Sequence, residues 1–79
     1  MINELISNSL PFLFDKPFTA IIGSEPSKGA RSPLLWNSAY KKFSIDNQMY
    51  PLDVTEENLR DLLITLSTNE FFYGGAIAV

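Results

Sequence analysis

Side chains able to do chemistry are sparse in this chain, and the first place that offers any is Ser32-Pro33. Serine followed by proline is a helix-start signature, with the hydroxyl at the N-cap and proline at the first helical position, where its missing N–H is no loss. The free N–H groups and positive dipole end of such a helix favour an anion. Two compatible roles are open to Ser32: its hydroxyl accepts from the amide of Leu34 or Leu35 and caps the helix, or it meets a bound carboxylate. The second place is Glu56-Glu57. An acid/base pair must flank one bond, whereas adjacent helical residues point about 100° apart. These acids therefore read as charges suited to the first turn of a helix whose N-cap is Thr55.

Histidine and cysteine are both absent. That removes zinc sites built on nitrogen and sulfur, Ser-His-Asp triads, Cys-His pairs and any disulfide framework. A small chain without disulfides belongs in a reducing compartment, so a cytoplasmic location is expected. The net charge of −3 comes from six basic and nine acidic residues, scattered without the basic stripe that a nucleic-acid backbone demands. Nucleic acid is not an expected partner. Nor is a membrane, because no segment approaches the roughly 20 apolar residues that span a bilayer. The opening segment has Glu4 before any basic residue and Pro11 inside its apolar run, so it does not read as a signal peptide.

The elements that must position Ser32 follow from hydrophobic periodicity. Ile2, Leu5 and Ile6 predict a short helix within residues 1–10, ended by Pro11. Phe18-Thr19-Ala20-Ile21-Ile22, closed by Gly23, predicts a strand buried on both faces, and residues 24–31 a loop. The helix from Ser32 is predicted to reach about Phe43 with Trp36, Ala39, Tyr40 and Phe43 facing a sheet and Lys41 and Lys42 in water. That aromatic stripe reads as core packing rather than a stacking platform for bases. Met49-Tyr50-Pro51-Leu52-Asp53-Val54 predicts a second strand, which Pro51 assigns to a sheet edge. Leu59, Leu62, Leu63 and Leu66 form the apolar face of the helix begun at Thr55. Phe71-Phe72-Tyr73 and Gly74-Gly75 then turn into a third strand that runs to Val79.

Strands alternating with helices require right-handed crossovers and a parallel sheet, with the first strand central. The expected fold class is α/β: a three-layer α-β-α arrangement on a small, mostly parallel sheet, three strands in this chain, half of a doubly wound domain. Residues 1–16 read as an N-terminal extension and residues 17–79 as the domain. Three parallel strands leave both sheet edges bare, so the domain is expected to be incomplete at its C-terminus. A chain of 79 residues also hides only about 60% of its unfolded surface, which predicts marginal stability.

Arg31-Ser32-Pro33-Leu34-Leu35-Trp36-Asn37-Ser38-Ala39-Tyr40, following Gly23, resembles the Ser-x-Ser-Pro-x-x-His-Asn-x-Ala-Phe/Tyr stretch of shikimate dehydrogenases. Met49-Tyr50-Pro51-Leu52-Asp53-Val54 and Glu57-Asn58-Leu59 are similar to that family's Tyr-x-Pro-x-Asp-Val and Glu-Asn-Leu, and the resemblance spans residues 18–79. It implies the family's N-terminal substrate-binding domain, where serine hydroxyls at the start of the first helix hold the carboxylate of a hydroxy acid. Ser32 would be one of them. The other family serine falls on Ala30; the loop is a residue longer, so Ser27 would substitute, and Lys28 or Arg31 would either meet a carboxylate directly or face solvent.

In the family's third strand an Asn-Val-Thr-x-Pro-x-Lys run supplies an amide, a hydroxyl and the catalytic lysine. Ala76 and Ala78 stand at the asparagine and threonine positions. The proline, the lysine, the catalytic aspartate and the Gly-rich nucleotide-binding domain would all lie beyond Val79. The resemblance thus implies the substrate-binding domain of an NADP-dependent oxidoreductase of the shikimate or quinate type, acting in aromatic amino acid biosynthesis. The chain itself would be inactive and would hold no cofactor or metal, NADP belonging to the parent enzyme. Its ligand would be 3-dehydroshikimate, shikimate or a related small hydroxy-carboxylic acid, and its partner the nucleotide-binding domain or another copy of itself. The alternative is a non-catalytic binding or interaction module of the same fold. Ala76 and Ala78 favour it, because a pocket that cannot pair its ligand's hydroxyls loses discrimination.

Overall fold

The computed structural model describes residues 2–12 and 14–78 of the chain. Its centre is β1 (Phe18–Gly23), buried at every position but Thr19, as a strand covered on both faces must be. β2 (Met49–Asp53) and β3 (Phe72–Ile77) flank it, both parallel to it, in the order β2-β1-β3. The protein is therefore an α/β fold on an all-parallel three-stranded sheet with flanking helices, and β1 is central as the alternation of elements predicts.

Phe18, Ala20 and Ile22 point to one face, where they meet Leu52, Val54, Ile2, Ile6, Phe14, Leu62 and Leu66 in the main core. Leu62 and Leu66, one turn apart on α4 (Glu56–Ser67), are fully buried there, while Leu63 on the same helix is more than a third exposed. The buried stripe is narrower than the four-leucine face expected. Thr55 is the N-cap of α4, but its hydroxyl makes no capping bond; its carbonyl accepts from Asn58 N–H at 3.1 Å. On the opposite face lies α3 (Ser32–Lys42), packed over β2 and β1.

The described residues before β1 are part of this packing. Phe12 stacks on Tyr50 with ring centroids 4.4 Å apart, and Phe14 meets Phe18 edge-on at 5.1 Å. The helix expected within residues 1–10 is cut to four residues, α1 (Ile2–Leu5), because Ser7 and Asn8 bond the outer edge of β2 instead of continuing the helix. Ser7 N–H donates to Asp53 carbonyl at 2.7 Å, Asn8 Nδ2 to Pro51 carbonyl at 2.9 Å, and Asp53 N–H to Asn8 Oδ1 at 2.8 Å. Asn37 of α3 does the same for Met49, donating to its carbonyl at 3.1 Å and accepting its N–H at 2.6 Å. Pro51 has no N–H to offer. Every outward backbone group of β2 from Met49 to Asp53 thus has a partner.

The aromatic stripe of α3 departs from expectation. Trp36 is 52% and Phe43 68% exposed, and no residue of the helix is buried. Polar contacts hold α3 over the sheet, from Asn37 to Met49 and from Tyr40 hydroxyl to Thr19 Oγ1 at 3.3 Å, and the face of β3 beside it stays uncovered. In β3, Gly74-Gly75 belongs to the strand rather than to a turn before it. Phe18 pairs with Phe72 but Ala20 with Gly75, so β3 carries a bulge at Gly74, whose φ of 115° only glycine adopts easily. Position 79, where the third strand was expected to end, lies outside the described residues.

Candidate functional site

The chain runs from β1 to β2 on one side and returns to place β3 on the other side of β1, so the strand order reverses between β1 and β3. In open α/β sheets this switch point, at the carboxyl ends of the strands, is where ligands bind. A cavity of ≈ 260 Å³ opens there, lined by Ser24, Glu25, Pro26, Gly29, Ala30 and Ala78. The two strands are drawn tightly together beneath it. Ala78 N–H donates to Ile22 carbonyl at 2.7 Å. A Cβ added at Gly23 would lie 2.8 Å from Ala78 carbonyl oxygen, which is why β1 closes on a glycine.

Residues 24–31, expected to be a plain loop, contain the single-turn helix α2 (Pro26–Gly29). Its N-cap, Glu25, makes no side-chain cap. The carboxylate of Asp53, at the end of β2, takes that role from a distance: Oδ1 accepts Ser27 N–H at 2.9 Å and Oδ2 accepts the Ser27 hydroxyl. Asp53 is 5% exposed, and the two bonds satisfy a charge that would otherwise be costly to bury.

The four residues singled out in the sequence fare differently. Ser27 gives its hydroxyl proton to Asp53, away from the cavity. Lys28 pairs with Glu25 at 3.4 Å, with both side chains mostly in solvent, so the pair carries little energy. Arg31 is exposed and is the N-cap of α3, placing Ser32 inside the first turn and Pro33 at the second helical position. The Ser32 capping bond therefore does not form; instead the Arg31 carbonyl accepts Leu35 N–H at 3.2 Å. The half-buried Ser32 hydroxyl has no hydrogen-bond partner among the described residues. None of the four lines the cavity; they lie on the segment that runs from α2 through Ala30 to the first turn of α3, near its lining residues in sequence only.

Of the cavity's own lining, Ala30 and Ala78 stand at positions where the resemblance expects hydroxyls, whereas Glu25 was not anticipated. Glu25 brings a carboxylate to it, and Ala30 and Ala78 meet there without a side-chain donor or acceptor. Asp53 could have been noticed as an acid at the carboxyl end of a parallel strand, the edge where doubly wound folds place ligand-binding groups. Ala76, by contrast, lines a separate cleft of ≈ 290 Å³ under α3 with Thr19, Trp36, Tyr40, Met49, Tyr73, Gly74 and Gly75. Among the described residues no group of histidine, cysteine, aspartate and glutamate could hold a metal ion, and no helix is long and apolar enough to cross a membrane.

Compared with protein-family models, curated proteins and solved structures, the chain matches none. Its class rests on architecture: an α/β protein whose parallel sheet, ordered 2-1-3, presents a small cavity at its switch point.

Proposed function

We propose that this chain is the substrate-binding domain of a shikimate dehydrogenase-like oxidoreductase, which holds a small hydroxy-carboxylic acid against the first turn of α3. The observation that carries this reading is the cavity at the β1–β3 switch point, whose lining residue Ala30 leads into a helix start where the Ser32 hydroxyl and the first-turn N–H groups have no partner among the described residues. Arg31 stands next to that hydroxyl with its guanidinium in solvent, suited to a carboxylate. The cysteine-free composition is in keeping with a cytoplasmic location for such an enzyme.

In this reading the domain binds and orients its ligand. NADP does not fit here. Pro26 removes an N–H from the turn, and no Gly-rich phosphate loop follows β1. In this reading the dinucleotide and the catalytic lysine belong to chain outside these residues.

A second reading, a non-catalytic binding module of the same fold, draws support from Ala30 and Ala78, which line the cavity where the resemblance calls for hydroxyls. Heteronuclear NMR titration with shikimate separates the two. Shifts confined to residues 24–37, with affinity in the millimolar range or about tenfold tighter, support the substrate-binding domain. No shift at millimolar shikimate discards it and leaves the module.

A further inference from the structure

The two edges of the sheet are treated in opposite ways. The outer edge of β2 is closed by Ser7, Asn8 and Asn37, and Pro51 interrupts it with a missing donor. β3 has neither protection. Its sequence Phe72-Tyr73-Gly74-Gly75-Ala76-Ile77 contains no charge and no proline, and from Tyr73 to Ile77 no described residue outside β1 bonds its backbone. Ala78 N–H points inward to Ile22, so by alternation the N–H and carbonyl of Ile77 face the open edge. Tyr73 and Ile77 are 69% and 58% exposed on the two faces of this strand. A bare, uncharged apolar edge is a template for another strand.

The surface as a whole agrees. The chain exposes 5544 Å² at a mass of 8.9 kDa, whereas a folded monomer of that mass exposes about 4800 Å². The surplus, about 700 Å², is close to the roughly 800 Å² that each partner hides in a standard interface. Trp36, beside Tyr73 in the cleft under α3, adds a half-exposed indole to the same side of the molecule.

We propose that β3 pairs antiparallel with β3 of a second copy across a two-fold axis, giving a continuous six-stranded sheet. The strand is self-complementary in this register. Phe72 and Ile77 pair with core-facing Phe18 and Ile22, so they share one face; Tyr73 and Ala76 both line the cleft on the other. Pairing Phe72 with the partner's Ile77, and Tyr73 with the partner's Ala76, keeps each face matched. Gly74 and Gly75 then meet on the axis, where the bulge has no side chain to clash. Ile77 N–H bonds the partner's Phe72 carbonyl. The inference rests on the β3 edge and not on the cavity, and it concerns the 79-residue chain.

Light scattering after size exclusion, from about 10 μM to about 1 mM, tests it on the 79-residue chain. The expected result is a mass rising with concentration from 8.9 kDa towards twice that value. Ile77→Lys and Tyr73→Lys, both exposed positions, should each weaken association by about tenfold or more with unchanged far-UV circular dichroism. In the unaltered chain, amide exchange at Ile77 should slow by about tenfold between dilute and concentrated samples. A monomer throughout the range, a dimer that survives both substitutions, or an Ile77 amide whose exchange ignores concentration would each overturn the proposal.

Discussion

Gly75→Ala measures how tightly β3 is drawn against the central strand. A Cβ at Gly75 would overlap the carbonyl oxygen of Ala20 and lie 2.8 Å from its carbonyl carbon and 3.0 Å from its nitrogen. Ala20 has nowhere to go: it is fully buried, and β1 is bonded to β2 on its other side. Relief must come from β3 moving outward, which breaks two or three ladder bonds at about 1 kcal/mol each. The same movement loosens Phe72 from Phe18, whose ring centroids are 5.5 Å apart. The expected loss is about 3–4 kcal/mol, a large share of the stability of a small domain. At about 4–8 °C per kcal/mol for a domain of this size, the melting temperature falls by about 12–30 °C. Thermal melts by circular dichroism read this directly, with Gly29→Ala as the control. Nothing lies within 4 Å of a Cβ at Gly29, so that variant should stay within about 1 kcal/mol of the parent. If Gly75→Ala melted within about 3 °C of the parent, the close approach of β3 to Ala20 would be refuted.

Asn8→Ala removes the bonds to Pro51 carbonyl and from Asp53 N–H on the outer edge of β2. Water can replace both partners there, so urea unfolding should show a loss of only about 1–2 kcal/mol. Tyr50 titrates above the ordinary tyrosine value because burial disfavours its phenolate. The unfolded chain ionises this group near pH 10 while the folded chain keeps it protonated to higher pH, so the unfolded state binds fewer protons in that window. The stabilisation is complete below about pH 10 and is lost as pH rises through the raised value. The urea midpoint of the parent should therefore drop more steeply between pH 9 and pH 11 than that of Tyr50→Phe; parallel slopes would refute it.

Much of the fold was legible because its signals are local. An uninterrupted apolar run marked β1, Pro51 marked β2 as an edge, and alternation of strands with helices dictated a parallel sheet with β1 at its centre. Expectation failed where a distant group won over a local preference. Ser32 carries a capping side chain, yet Arg31 is the N-cap of α3. Asn8 and Ser7 could have extended α1, but the unsatisfied edge of β2 took their hydrogen-bonding groups. The stripe on α3 has core-forming spacing, but spacing alone does not supply a surface to pack against. For the site, the helix start at Ser32 was visible in the sequence, whereas the role of Ser27 was not, because Asp53 lies on another strand.

By itself the sequence determined the order and type of the elements other than α2, and the absence of any histidine or cysteine chemistry. Backbone propensity and hydrophobic period act over a few residues, and those suffice for such decisions. Only the tertiary structure decided that Asp53 occupies Ser27, that the β2 edge is sealed while β3 is bare, and that Ala30 and Ala78 share a cavity. Each of these depends on which strand lies beside which, and that is settled by burying one common core rather than by the residues adjacent in the chain.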